Sequence, residues 1–246
     1  MNIQTMVELS IFALVGLILG GVLGWIINKF VKQVNKLYVY SGSLVLGLII
    51  FEVIPESTGT YDQFGLLISI LLGIVFMHEI HLLTESFHIE SKKNNAISFG
   101  AFFLVIAIAI HNFPAGIAIS SNWINNQLSN DLTASFIIHQ IPEGLALFLS
   151  LVSASSALYS IFSFITFSFL IVSCFFLALL LGEQSFFQDN RLRAIFMGIS
   201  IGSLSYVSVF ELIAKPYSKL KFSHFAQFLS LGIITVLLFM EFIQVH

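Results

Sequence analysis

Long apolar runs constrain the fold of this 246-residue chain more than any other feature. A helix needs about 20 apolar residues to cross the hydrocarbon core of a bilayer. Eight runs of suitable length occur, near residues 9 to 29, 38 to 55, 64 to 83, 97 to 120, 131 to 153, 156 to 182, 193 to 214 and 225 to 243. Apolar residues are continuous in these runs, without the alternation of a barrel strand, so we predict membrane-spanning helices.

The composition agrees with a membrane protein. Hydrophobic residues make up 57% of the chain and charged residues only 9%, which is too few for the polar shell of a soluble domain. We therefore predict an all-α integral membrane protein with eight transmembrane helices, forming a single polytopic domain over residues 1–246. The single cysteine, Cys174, excludes an intramolecular disulfide and a cysteine-rich metal site.

Basic residues indicate the orientation of the chain. The loops after helices 1, 3, 5 and 7 fall on one side, and the loops after helices 2, 4 and 6 fall on the other. The first set holds Lys29, Lys32, Lys36, Lys92, Lys93, Lys215, Lys219 and Lys221, and the second holds Arg191 and Arg193. Basic loops face the cytoplasm, so we expect a multi-pass protein of the cell membrane, plasma or inner, with both termini outside.

Two related polar motifs interrupt consecutive apolar runs. Residues 109 to 117 read AIHNFPAGI, and residues 137 to 145 read IIHQIPEGL. A short polar loop joins these helices, so they must run antiparallel and the repeat is inverted. His111 lies about 9 residues from the outer helix end and His139 about 8, or roughly 12 to 14 Å. We therefore expect the two imidazoles at one level.

Proline and glycine recur at matching places in both motifs. Pro114 and Pro142 each lack an N–H group and should free the carbonyl four residues earlier. Gly116 and Gly144 permit close approach of neighbouring helices. The small-residue segments GLILGGVLG and MGISIGS offer further close contacts.

The polar side chains of the motifs suit a metal ion. His139 and Glu143 are four residues apart, so the imidazole and the carboxylate lie on the same face of the helix. His111 adds a second imidazole, and Asn112 and Gln140 add amide oxygens. Such a mixed site suits Zn²⁺ and accepts Fe²⁺, Mn²⁺, Co²⁺ or Cd²⁺. A carboxylate at membrane depth is costly unless it is paired, and a divalent cation would pair with it.

At these residues the chain resembles the ZIP (Zrt/Irt-like protein) family of divalent metal transporters, and particularly its prokaryotic zinc-uptake branch. The segments HNFPAG, HQIPEG and FEVIPES carry the resemblance, which covers the chain in outline. It implies import of divalent cations, zinc first, between helices 4 and 5. The positions that match the family's ligands are His111, Asn112, His139, Gln140 and Glu143. The cation is cargo, and no cofactor or catalytic residue is implied.

The chain departs from similar family members at two places. They commonly carry an acid where this chain has Ala115, and that carboxylate bridges two metal ions. Some relatives also supply a ligand from helix 6, whereas residues 156 to 182 contain no acid here. We therefore expect one ion at this site in place of two.

Weaker polar features lie nearer the helix ends. In MHEIHLLTESFHIESKK, His78, His81 and His88 could form a weak cytoplasmic exit relay, with Glu85 four residues after His81. A solvated amphipathic helix end is the alternative. Four acids cluster near the outer face, namely Glu52, Glu56, Asp62 and Asp131. They could attract cations electrostatically, but we interpret them as ordinary interfacial acids. Glu211 lies near the inner end of helix 7, where Lys215 is expected to neutralise it.

Two other functions remain as alternatives to transport. A His/His/carboxylate zinc site with an open position can activate water, as in an intramembrane zinc-dependent hydrolase. Helices 4 to 6 show no second buried acid to act as its base. A metal sensor would need an output domain, which 246 residues do not provide. The expected partners are divalent metal ions and the lipid bilayer, with a homodimer left open and no nucleic acid, since no basic patch with interleaved aromatic residues is found.

Overall fold

Long helices follow one another along the chain in the computed structural model, which describes residues 1–31, 33–88, 99–121, 126–152, 157–184 and 189–244. These ranges contain no strand, so the all-α class is confirmed. The helices are α1 (Ile3–Phe30), α2 (Val34–Leu48, Ile49–Val53 and Ile54–Thr60), α3 (Gln63–His88), α4 (Phe99–Ser121), α5 (Asn126–Val152), α6 (Ala157–Gly182), α7 (Asn190–Tyr206, Val207–Ala214 and Lys215–Tyr217) and α8 (Phe222–Gln244).

Seven of these helices, in the described part of the chain, are long and apolar enough to cross a membrane. The remaining helix, α5, has 27 residues, but its first turns and its motif are polar. It packs along α1 and also contacts α2, α4 and α6, so neighbouring helices cover much of it. Its crossing of the membrane therefore stays a prediction.

The side chains are arranged as expected for a protein dissolved in lipid. Polar residues such as Asn112 and Gln140 are buried in the interior. Large apolar side chains point outwards instead, including Phe12, Phe162, Phe169, Leu231 and Leu238. Such a surface would be unfavourable in water but matches the acyl chains of a bilayer.

Glycines bring pairs of helices into close contact. A Cβ atom at Gly144 of α5 would overlap the backbone of Leu17 in α1, and one at Gly116 of α4 would lie 3.0 Å from the Phe175 carbonyl oxygen in α6. The close approach predicted for both motif glycines is thereby confirmed. Gly202, in the segment MGISIGS of α7, meets the α3 backbone in the same way.

Helices α2 and α7 each widen into a π-helical segment before a proline. In α2 the amide of Ile54 bonds to the carbonyl five residues earlier, and in α7 the amide of Lys215 does the same. The next residue is Pro55 in α2 and Pro216 in α7. Because proline cannot donate the α-helical bond and clashes with the carbonyl four residues back, the bonding register shifts there. The two segments carry the acids Glu52 and Glu211.

Candidate metal centre

The two motif histidines meet at one depth inside the bundle. The imidazole rings of His111 in α4 and His139 in α5 stack with their centroids 5.4 Å apart and their planes at 25°. Only 5% and 6% of the two residues is exposed. Their predicted common level is confirmed by this stacking. The helix ends differ from those expected, because α5 begins at Asn126, ahead of its apolar run.

Glu143 converges on both rings. Its Oε1 atom lies 3.7 Å from His111 Nε2 and 3.6 Å from His139 Nε2. One ligand atom from each of the three residues can be chosen so that all lie within 4.8 Å of one another. Ligands of a tetrahedral zinc ion are separated by about 3.3 to 3.6 Å. The two distances from Glu143 to the imidazoles are already close to this range, whereas ligand atoms as far as 4.8 Å apart would have to approach by about 1 Å.

The Glu143 carboxylate also lacks hydrogen bonds that would satisfy it. The residue is 2% exposed, and within the described ranges neither of its oxygens accepts a hydrogen bond. A buried polar atom without a partner is costly, and a buried charge is costlier. A cation held between Glu143 and the histidines would remove this cost.

The Nδ1 atom of each imidazole, on the side of the ring away from Glu143, contacts a residue of another helix. His111 Nδ1 lies 2.7 Å from Ser200 Oγ of α7, and His139 Nδ1 lies 3.1 Å from Glu52 Oε2 of α2. When His111 Nδ1 carries the proton and donates to Ser200 Oγ, the Nε2 lone pair of His111 faces Glu143. His139 likewise directs Nδ1 to the Glu52 carboxylate and Nε2 to Glu143. Metal-binding histidines are commonly oriented in this manner by an acceptor on the opposite nitrogen.

Glu52 lies beside the candidate site, a position that the sequence interpretation missed. It was expected among interfacial acids, whereas the structure places its carboxylate against His139. The π-helical turn before Pro55 supplies the physical reason, because the extra residue in that turn changes the direction of the side chain. The available signal was an acid three residues before a proline in an apolar run.

The other acids have different surroundings. Asp62 accepts a hydrogen bond from the Gly65 amide at 2.7 Å and so caps the start of α3. The side chains of Glu56 and Asp131 lie outside the described residues. Glu211 is bonded to Lys215 at 2.6 Å, as the sequence interpretation expected.

The two motif amides pair with each other. Asn112 donates to Gln140 at 3.3 Å, and Gln140 donates back to Asn112 at the same distance. Both side chains are buried beside the histidines. Their oxygens are thus occupied in this arrangement, and their role as metal ligands stays a prediction.

Ala115 is partly buried and packs against the apolar core. This position lies one turn after His111, where similar family members carry an acid. Together with the absence of acids from α6 between residues 157 and 182, it supports the expectation of a single ion, which stays a prediction.

The residues expected in an exit relay meet partners in α7. His78 Nδ1 lies 3.1 Å from the Tyr206 hydroxyl, and His81 Nδ1 lies 3.0 Å from Glu211 Oε1. The side chains of His88 and Glu85 lie outside the described residues. Glu211 had been considered only as a partner of Lys215, because sequence spacing could not reveal that α3 and α7 lie side by side.

Comparison with known proteins gives one family match. The family model described as ZIP Zinc transporter matches residues 77–240. This segment begins in α3, ends in α8 and includes both histidine motifs. Among curated proteins no match is found.

Proposed function

Because the chain belongs to the ZIP family of divalent metal transporters, we propose that it imports divalent transition-metal cations, with zinc as the main cargo. The proposed site contains His111, His139 and Glu143 between α4 and α5. The observation that carries this proposal is the convergence of two imidazoles and a carboxylate within 4.8 Å. Iron, manganese, cobalt and cadmium are alternative cargoes with compatible ligand preferences.

The character of the site favours transport over storage. Its ligands are nitrogen and oxygen atoms, whereas tight structural zinc sites commonly use several thiolates. The buried carboxylate gains from cation binding, yet three protein ligands leave part of the coordination sphere open. An ion can therefore enter and leave by exchanging water at the open positions.

The membrane setting completes the proposal. The chain is a multi-pass membrane protein with seven candidate spans among its described residues. We propose α5 as the eighth span, the cell membrane as its location and both termini outside, because basic residues concentrate on one side. As part of the same proposal, which rests on the family resemblance, the ion moves inwards. Membership in the prokaryotic zinc-uptake branch is part of the same proposal.

An intramembrane hydrolase is the competing function. Glu52 supplies the second acid that this alternative lacked in the sequence, since it lies 3.1 Å from His139 Nδ1. However, Glu52 contacts the nitrogen of His139 that faces away from Glu143, which suits the orientation of a metal ligand. Transport is favoured because the matched family consists of transporters.

Uptake into proteoliposomes tests the proposal. The purified chain should give saturable Zn²⁺ uptake, with the other cations tested in parallel. Glu143→Gln removes the buried negative charge and should reduce zinc uptake at least about tenfold. Glu241→Gln, at an exposed position in α8, is the matched control and should behave as wild type. Absence of saturable uptake of every cation by folded wild-type protein would overturn the proposal.

A further inference from the structure

A cavity of about 680 Å³ opens at the end of the bundle where α3 and α7 begin. Residues from the end of α2, the start of α3 and the first turns of α7 line it. Its polar lining consists of Thr60, Tyr61, Asp62, Asn190 and Arg191. The candidate metal centre shares none of its residues with this cavity, which is therefore a separate feature of the fold.

The cavity forms because α3 and α7 are in contact deeper in the bundle but not at this end. A Cβ atom at Gly198 of α7 would lie 2.3 Å from the Cβ of Ser69 in α3, so the two helices touch there. One turn nearer the start of α3, a Cβ at Gly65 would meet only the Asp62 carboxylate and no atom of α7. The space between the two helices thus opens over a single helical turn.

Opposite charges line the cavity. The Asp62 carboxylate precedes the first turn of α3, and the Arg191 guanidinium group belongs to the first turn of α7. In the described part of the chain no ion pair joins these two side chains, and Asp62 accepts a hydrogen bond from the Gly65 amide at 2.7 Å. The cavity can therefore receive a positive and a negative group of the same ligand.

Apolar side chains beside the cavity place it at the edge of the hydrocarbon core. Phe64 and Leu67 of α3 are 73% and 58% exposed, and Ile195, which lines the cavity, is 40% exposed. Helices α3 and α7 are both candidate membrane spans, which begin at Gln63 and Asn190. Polar groups at the end of a span with exposed apolar groups next to them match the headgroup level of a bilayer.

We propose that this cavity binds the headgroup of a zwitterionic aminophospholipid, with its phosphate at Arg191 and its primary ammonium group at Asp62. A guanidinium group binds phosphate oxygens through paired N–H donors, and a carboxylate accepts charge-assisted hydrogen bonds from an ammonium group. The acyl chains then lie along Phe64, Leu67 and Ile195. This inference is independent of the proposed transport.

The pair of charges selects among phospholipids. A headgroup that carries only negative charge meets the Asp62 carboxylate and is disfavoured. A trimethylammonium headgroup is positively charged but has no N–H group, so it cannot donate a hydrogen bond to Asp62. Phosphatidylethanolamine satisfies both Asp62 and Arg191. A soluble headgroup lacks acyl chains and loses the apolar contacts, which favours a membrane lipid as the ligand.

Native mass spectrometry of the delipidated protein tests the inference. Dioleoyl phosphatidylethanolamine should bind about fivefold or more tightly than dioleoyl phosphatidylcholine or dioleoyl phosphatidylglycerol, because only the first lipid gains both contacts. Asp62→Asn should abolish the preference over phosphatidylcholine, and asparagine still caps α3. Arg191→Gln should weaken the binding of all three lipids about fivefold. Asp189→Asn is the matched control, since Asp189 accepts a hydrogen bond from the Arg191 amide at 2.9 Å but does not line the cavity.

Each outcome supports or overturns one part of the inference. Equal affinities of wild-type protein for the three lipids overturn the site, and an unchanged preference in the Asp62→Asn variant, or its equal loss in Asp189→Asn, overturns the role of Asp62. Wild-type affinities in Arg191→Gln overturn the phosphate contact. Displacement of phosphatidylethanolamine by an equimolar amount of glycerophosphoethanolamine overturns a membrane lipid as the ligand. Size-exclusion elution and circular dichroism confirm that each variant is folded.

Discussion

Glu52 and His139 are in contact although they belong to different helices, α2 and α5, with Glu52 Oε2 placed 3.1 Å from His139 Nδ1. Ser200 holds the other imidazole in an equivalent position. Each motif histidine is thus contacted by a helix that carries no motif histidine. In this arrangement the geometry of the candidate site depends on the packing of α2 and α7 against α4 and α5.

Glu52→Gln should weaken zinc binding without removing a metal ligand. Glutamine keeps the size of the side chain but removes the negative charge that stabilises His139 as a ligand. Loss of such a supporting contact typically reduces metal affinity about 10- to 100-fold. Titration calorimetry on purified protein measures the change. Glu8→Gln, at an exposed position in α1, is the control, and equal affinities for both variants would remove Glu52 from the site.

Ala115→Glu should increase the number of ions that the site holds. Position 115 follows His111 by four residues, just as Glu143 follows His139, so the new carboxylate should face Glu143. Two carboxylates can share one ion more tightly or bridge a second ion, and they should slow its release. We expect a stoichiometry of up to two, tighter binding and lower maximal uptake.

The matched control for this substitution is Ala115→Gln, which adds similar volume without charge. Zinc titration should be performed after replacement of His78, His81 and His88 in α3, so that only the site between α4 and α5 is titrated. A stoichiometry of two in the protein that retains Ala115 would show that this residue does not restrict the site to one ion.

Gly144→Val should destabilise the protein through the α1–α5 contact. A Cβ atom at this position meets the backbone of Leu17, which cannot move aside as a flexible side chain would. Overpacking of this kind costs about 1 to 3 kcal/mol. The thermal unfolding midpoint in detergent should fall, whereas Gly59→Ala should leave it unchanged because a Cβ there meets nothing within 4 Å. Equal midpoints would mean that the helix contact is not tight.

Cysteine labelling should establish the predicted orientation. Gly59→Cys lies at the end of α2 and Ser218→Cys follows α7, and both positions are exposed. With Cys174 replaced by serine, an impermeant thiol reagent applied to intact cells should label position 59. It should label position 218 only after permeabilisation. The opposite labelling pattern would contradict the predicted orientation.

Local sequence patterns predicted much of the structure. Continuous apolar runs predicted the positions of the helices. Helix α1 begins earlier than its apolar run, at Ile3, because Asn2 caps it by accepting a hydrogen bond from the Thr5 amide at 2.8 Å. The spacing of the motifs predicted the common level of His111 and His139, although α5 begins at Asn126, ahead of the apolar run from which the depth of His139 was counted.

Contacts between distant helices were not predictable in this way. Glu52 reaches His139 because α2 packs beside α5, and Glu211 reaches His81 because α7 packs beside α3. Both acids lie in π-helical segments, where the direction of a side chain differs from that in a regular helix. A single sequence carries no direct signal for such packing. The prolines at positions 55 and 216 marked the irregular turns, but they did not reveal which partner each acid would meet.

Zinc uptake by the His111→Ala, His139→Ala variant tests the central claim most directly, since it removes both imidazoles and leaves the rest of the bundle intact. His224→Ala, in α8 and away from the motifs, is the matched control. In proteoliposomes containing equal amounts of folded protein, the control should show saturable Zn²⁺ uptake and the double variant should show none above empty liposomes. Wild-type uptake by the double variant would contradict a transport site formed by His111, His139 and Glu143.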